Sequence, residues 1–244
     1  MSQAPGKAPD ARPQVGMLLY PGLTLLDLLG PQTALSMVMD VHLVWTRTDE
    51  PVVTDTGLRI FPTTTPADCP SPLDVLFVPG GPGMTAVMRN REVLDFLAER
   101  GRSARWVTSV CSGSLVLGVA GLLDGYRATA HWAAVDLLPT VGAEPVGGRV
   151  VVDRNRITAG GVTAGIDFAL TLAAELAGDE EAQAIQLELE YAPAPPFDAG
   201  TPERAPRAVV ERVREQSAAA LAKRAQIVAR VAGRLAIGEP GGAQ

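Results

Sequence analysis

Ser109-Val110-Cys111-Ser112-Gly113-Ser114 reads as a strand that turns sharply at a cysteine and runs straight into a helix. Upstream, Ala104-Arg105-Trp106-Val107-Thr108-Ser109-Val110 has the β-branched and aromatic content of a buried strand. Downstream, Leu115-Val116-Leu117-Gly118-Val119-Ala120-Gly121-Leu122-Leu123 is apolar enough for a core helix, with Gly121 and Asp124-Gly125 marking its end. Small residues after Cys111 suit a tight elbow that leaves the Cys111 side chain standing at the strand end. Free cysteine more often packs as a small hydrophobe, so the elbow is what marks this one as a nucleophile. Helix N-terminal amides beside it predict a thiol pKa about 1 unit or more below the usual ~8.5.

Outward from the elbow, strand-like and helical runs alternate as in an α/β protein with a parallel sheet covered on both faces. Val15-Gly16-Met17-Leu18-Leu19-Tyr20, Val41-His42-Leu43-Val44-Trp45 and Val75-Leu76-Phe77-Val78-Pro79 are the strands that precede the cysteine strand. Helices are expected around Leu25 to Met39, from Glu92 to Arg102, in two segments between Ala164 and Tyr191, and from Pro206 to Leu235. Asp153-Arg154-Asn155 between Val150-Val151-Val152 and Arg156-Ile157-Thr158 is a hairpin signal. Ala192-Pro193-Ala194-Pro195-Pro196-Phe197 breaks the helical pattern and reads as a surface loop. The last helix is basic on one side and apolar on the other, as expected of a solvated face on a docked or dimer-forming helix.

The 244 residues suffice for one large domain, expected over 15–236 between a disordered leader at 1–14 and a flexible tail at 237–244. Pro, Ala and Gly without an apolar run make the leader unlike a signal peptide, and no stretch is long and apolar enough to span a bilayer. A net charge of −6 argues against general nucleic-acid or membrane-surface binding. Cys69, Cys111, His42 and His131 show no metal-ligand spacing, so no metal is expected, and two separated cysteines fit a reducing cytoplasm.

Ligands of open α/β sheets gather at the carboxyl ends of the strands, where three loops here carry suggestive residues. In Leu25-Leu26-Asp27-Leu28-Leu29-Gly30-Pro31 an acid sits among leucines of a helix that should pack on the sheet. Asp27 is therefore expected to be protonated or hydrogen-bonded. Val78-Pro79-Gly80-Gly81-Pro82-Gly83 lacks a phosphate-cradle pattern. The Gly81 amide, with the Ser112 amide after the cysteine, is expected to form a two-donor oxyanion hole. Thr163 is expected to cap a helix whose first turn holds Asp167, and Cys69 to be an ordinary loop residue.

Leu26-Asp27-Leu28-Leu29-Gly30-Pro31, Pro79-Gly80-Gly81 and Val107-Thr108-Ser109-Val110-Cys111-Ser112-Gly113-Ser114 together resemble the ThiJ/PfpI superfamily, which is related to class I glutamine amidotransferases. Leu122-Leu123-Asp124-Gly125-Tyr126-Arg127-Ala128-Thr129-Ala130-His131-Trp132, the run from Gly161 to Leu170 and the run from Leu187 to Phe197 extend the likeness toward its isonitrile (isocyanide) hydratases. The resemblance implies a flavodoxin-like three-layer sandwich with a mostly parallel central sheet, a cofactor-free homodimer and a small-molecule isonitrile substrate. It also implies Cys111 as nucleophile and Asp27 as acid/base partner, through a Cys-linked thioimidate. Ser112 departs from the Thr expected there but keeps a hydroxyl. His131 matches a histidine common in the superfamily, although the Asp–Cys pair already accounts for the protons of a hydration. Two alternatives stay open: a glyoxalase- or deglycase-like enzyme, which the shorter acid Asp27 disfavours, and a ligand-sensing domain like those of AraC-type regulators. The single long helix after Pro206 does not read as the helix-turn-helix region such a regulator needs.

Overall fold

The computed structural model describes residues 12–237. Of the expected leader and tail, residues 1–11 and 238–244 lie outside that range. The chain runs β1 (Gln14–Leu18), α1 (Leu25–Leu35), β2 (Asp40–Val44), a short β3–β4 hairpin (Val52–Val53, Arg59–Ile60) and β5 (Val75–Val78). Then come α2 (Met84–Val87), α3 (Arg91–Ser103), β6 (Trp106–Val110), α4 (Gly113–Val119), β7 (Arg127–Ala128), a 3-10 helix (Val135–Val141) and β8 (Glu144–Pro145). Finally β9 (Val150–Asp153) and β10 (Arg156–Ala159) precede α5 (Ala164–Ala177), α6 (Asp179–Glu188) and α7 (Arg207–Ile237).

Six strands form the central sheet in the order β2-β1-β5-β6-β10-β9. All neighbours are parallel except β9, which pairs antiparallel with β10 through the hairpin read from the sequence. Strands β5, β6 and β10 are buried along their whole length, as a sheet covered on both faces requires. Phe77 of β5 stacks on Phe168 of α5 at 5.5 Å between ring centres, which seats α5 on one face beside α1. Helices α3 and α4 pack against the sheet as well, and α7 lies over α4 and the 3-10 helix.

Order reverses at β1, because β2 lies on one side of it and β5 on the other. Loops leaving β1 and β5 in opposite directions open a crevice at their carboxyl ends, where ligands of this sheet type bind. Helix α7 turns part of its apolar side inward, with Ile227 and Val228 buried against its own chain. It is a docked helix, and its apolar stripe is not left free for another subunit along that stretch. No helix among the described residues is long and apolar enough to cross a membrane.

Candidate active site

Four adjacent parallel strands deliver the site. Beyond β1 the chain carries Tyr20 and then Asp27 on the first turn of α1. The β5 end carries Pro79-Gly80-Gly81, β6 ends at Cys111, and β10 ends at Gly160-Gly161-Val162 before α5.

Cys111 has φ 60°, a left-handed conformation uncommon for any residue but glycine. Such strain costs about 1–3 kcal/mol and persists only where surrounding structure enforces it. Here the Cys111 N–H is shared between the carbonyls of Ala159 and Gly160 at 3.0 and 2.9 Å, which fixes the turn to β10. Behind it, Gly113 passes so close to β5 that a Cβ would meet Val78 O at 2.2 Å. The side chain is left only 8% exposed, at the meeting point of the loops.

Asp27 is fully buried. Its Oδ2 accepts the Gly80 N–H at 2.9 Å, whereas Oδ1 has no hydrogen bond of regular geometry. Gly80 must be glycine for this approach, since a Cβ would lie 2.8 Å from Oδ2 and 2.6 Å from the Ser112 nitrogen. Burial pushes the Asp27 carboxyl up to about 7; the Gly80 amide and the adjacent Cys111 thiol pull it back less strongly. The expectation of a hydrogen-bonded Asp27 is met by the Gly80 amide, and burial holds the proton on its carboxyl up to a pH of about 7.

The expectation of a lowered thiol pKa is overturned. Burial, and then the Asp27 charge, push Cys111 up to about 12 against the pull of the Ser112 and Val162 amides. A local reading sees the helix amides, but desolvation is a property of the assembled site. The thiol therefore keeps its proton at neutral pH.

The oxyanion arrangement also differs from the sequence reading. Gly81 donates its N–H to Ser112 Oγ at 3.1 Å, so it is not a free donor. The amides directed at the sulfur are those of Ser112 and Val162. Val162 was not singled out from the sequence; its φ of 30°, rare for a β-branched residue, is visible only in three dimensions. Ser112 contributes its amide to the sulfur and its hydroxyl to the glycine turn. Tyr20 was also missed. Fully buried, it donates its hydroxyl to Pro79 O at 2.9 Å and so pins the turn that holds Asp27. Asp55, from the turn of the β3–β4 hairpin, accepts the Leu25 N–H at 3.0 Å and caps α1 in place of Thr24.

His131 packs its ring edge against Gly161, and its Nδ1 accepts the Ala133 N–H at 3.2 Å. Burial, with the Arg224 charge, holds its pKa below the ordinary 6.5, so the imidazole is neutral. Cys69 lies in the loop between β4 and β5, as expected, with its side chain buried near Gly16 and Leu73. Thr163 makes no cap bond to α5. Instead its hydroxyl accepts from Arg149, whose Nε bonds Asp167 Oδ2 at 2.6 Å. Among the described residues no cluster of three His, Cys, Asp or Glu side chains could hold a metal ion.

Comparison with known proteins places this geometry. The family model of the DJ-1/PfpI family matches residues 13–175. An isonitrile hydratase from Pseudomonas putida is 56% identical over 224 residues, covering 91% of this chain and 97% of that protein. The HTH-type transcriptional regulator GbdR of Pseudomonas aeruginosa is 33% identical over 75% of this chain, which spans 52% of the regulator. Among solved structures, a ThiJ/PfpI family protein from Pseudomonas syringae superposes with a TM-score of 0.86 at 44% identity, covering 95% of this chain and 98% of that one.

Proposed function

The chain belongs to the DJ-1/PfpI family, and from that membership and its cysteine–aspartate pair we propose that it hydrates isonitriles to N-substituted formamides. The carrying observation is a buried carboxyl, at Asp27, placed against a cysteine on a strained strand end with two amides aimed at its sulfur. The extensive identity with the Pseudomonas putida hydratase supports the substrate class.

An isonitrile, R–N≡C, has a terminal carbon that must gain both a nucleophile and a proton. Above pH of about 7 Asp27 is a carboxylate and Cys111 a thiol, so the pair holds one proton. As the sulfur attacks the carbon, Asp27 takes the thiol proton and delivers it to that carbon. The S–H bond is replaced by S–C and C–H bonds, giving a neutral thioimidate, R–N=CH–S–Cys111. Water then adds across C=N with Asp27 taking and returning its proton, the nitrogen becoming N–H. Collapse to C=O breaks the C–S bond and returns the proton to sulfur, leaving R–NH–CHO. The Ser112 and Val162 amides stabilise charge on the sulfur as it attacks and as it leaves. No electron is gained or lost overall, so the scheme needs no redox partner. The same reading puts the enzyme in the cytoplasm as a homodimer, with the exposed Leu26 and Leu29 of α1 available for burial.

Purified protein with cyclohexyl isocyanide should form N-cyclohexylformamide, at a rate that rises as pH passes about 7 and at least 10³-fold faster than Cys111→Ala. Methylglyoxal serves as the competing substrate. Formamide formation that survives loss of Cys111, or consumption of methylglyoxal alone, would overturn the proposal.

A further inference from the structure

Val162 presents its N–H to the Cys111 sulfur from a loop that has no regular structure of its own, between β10 and α5. Something must hold a β-branched residue at φ 30° there. Arg149, just before β9, brackets that loop at both ends. Its carbonyl accepts the Gly160 N–H at 2.9 Å on the near side. Its guanidinium donates to Thr163 Oγ1 at 3.2 Å and to Asp167 Oδ2 at 2.6 Å on the far side. Tyr191, beyond α6, donates its hydroxyl to the same Asp167 oxygen at 3.0 Å, which ties the cluster to a third segment. Gly160 in turn accepts from the Cys111 N–H, so the bracketed loop is bonded directly to the nucleophile.

We propose that Arg149 is a positioning residue for the nucleophile: through Thr163 and Asp167 it clamps the 160–163 loop so that the Val162 N–H meets the Cys111 sulfur. The guanidinium is half exposed, and an isolated ion pair in that setting contributes little to stability. A forked cation shared by a hydroxyl and a carboxylate that is itself held by a tyrosine fixes geometry, which a point charge on a flexible stem does less well. Ionisable groups facing the sulfur itself are Asp27 from α1 and Tyr20 after β1; His131 lies behind Gly161. Arg149 and Asp167 therefore act on the thiol through the backbone and not as its charge neighbours.

The turnover readout rests on the isonitrile reading, whereas chemical modification of Cys111 does not, so the two can fail separately. Cyclohexyl isocyanide turnover and iodoacetamide modification at pH 9, followed on the Cys111 peptide by mass spectrometry, should be compared in wild type, Arg149→Met, Arg149→Lys and Asp167→Asn. In Arg149→Met the expected result is a five- to tenfold lower kcat with KM within twofold, and Cys111 modification slowed three- to fivefold because the sulfur has lost a donor. Arg149→Lys should recover part of both, and Asp167→Asn should fall between. Melting curves establish folding, and if Arg149→Met does not fold the other two variants carry the same test. Folded variants with wild-type modification rates would overturn the clamp, as would faster modification, which would make Arg149 a shield. Altered modification without isonitrile turnover in wild type would keep the clamp and remove the substrate reading.

Discussion

Two neighbouring strands, β6 and β10, end in the same way and are held by opposite means. Each runs into a non-glycine residue of positive φ, Cys111 at 60° and Val162 at 30°, and then into a helix. The first elbow is wedged from behind by backbone: Gly113 rides against Val78 O, and Gly80 against Ser112. The second is strapped from outside by side chains, Arg149 to Thr163 and Asp167. Backbone wedging fixes a nucleophile rigidly and tolerates no added atom. A side-chain strap can be weakened by degrees.

The largest break of this comparison is Gly113→Ala. Its Cβ would sit 2.2 Å from Val78 O and 2.9 Å from Pro79 O, both backbone atoms of a central strand and its exit. Neither can move without moving the sheet, so the variant should lose roughly 3 kcal/mol or more and most of its turnover. Urea unfolding measures the first and formamide formation the second. A stable Gly113→Ala protein would mean that the first elbow is as adjustable as the second.

Asp27→Asn sharpens the contrast on its electrostatic side. A carboxyl whose pKa stands at 3.8 in the open chain and about 7 in the fold binds its proton more tightly when folded. The Asp27 contribution to stability should therefore be fullest below pH 3.8, fall as pH rises toward about 7, and level off above it. Asparagine has no charge to bury and keeps an oxygen for the Gly80 amide. At pH 8 the variant should be more stable than wild type by about 1–4 kcal/mol, and at pH 4 the difference should shrink toward zero. Turnover should fall by at least ~10²-fold, because the proton carrier is gone. Equal stability of the two proteins at every pH would remove the cost assigned to the buried carboxylate.

The first elbow was legible because its signals are local. A β-branched strand, a cysteine and three small residues lie within one short stretch, and the parallel order follows from alternation with helices. Asp27 could be flagged because an acid among leucines needs a partner. That partner, the Gly80 amide, lies 53 residues away, and so no spacing rule could supply it. The second elbow gives no such sign: Thr163-Ala164-Gly165-Ile166-Asp167 reads as an ordinary helix start with Thr163 as its cap. Asp55 capping α1 from a different hairpin is invisible for the same reason. Strands β3, β4, β7 and β8 have two residues each, too short to show any period. The direction of the Cys111 shift was misjudged because burial by four loops outweighs the few amides that the sequence displays.

Val162→Gly is the mildest test and separates backbone from side chain at the strapped elbow. Glycine adopts positive φ without a Cβ penalty, which should return about 1 kcal/mol of strain. It also adds freedom to the unfolded chain and removes a half-buried isopropyl group, which together cost a similar amount. The net change in unfolding free energy should stay within about 1 kcal/mol. Arg149, Thr163 and Asp167 are untouched, so the strap still carries the loop, and the residue-162 N–H still reaches the sulfur. Turnover should accordingly fall by no more than about threefold, less than on removing the strap. A loss of 2 kcal/mol or more, or a larger drop in kcat than in Arg149→Met, would show that the valine side chain holds the loop, and the contrast between a wedged and a strapped elbow would no longer stand.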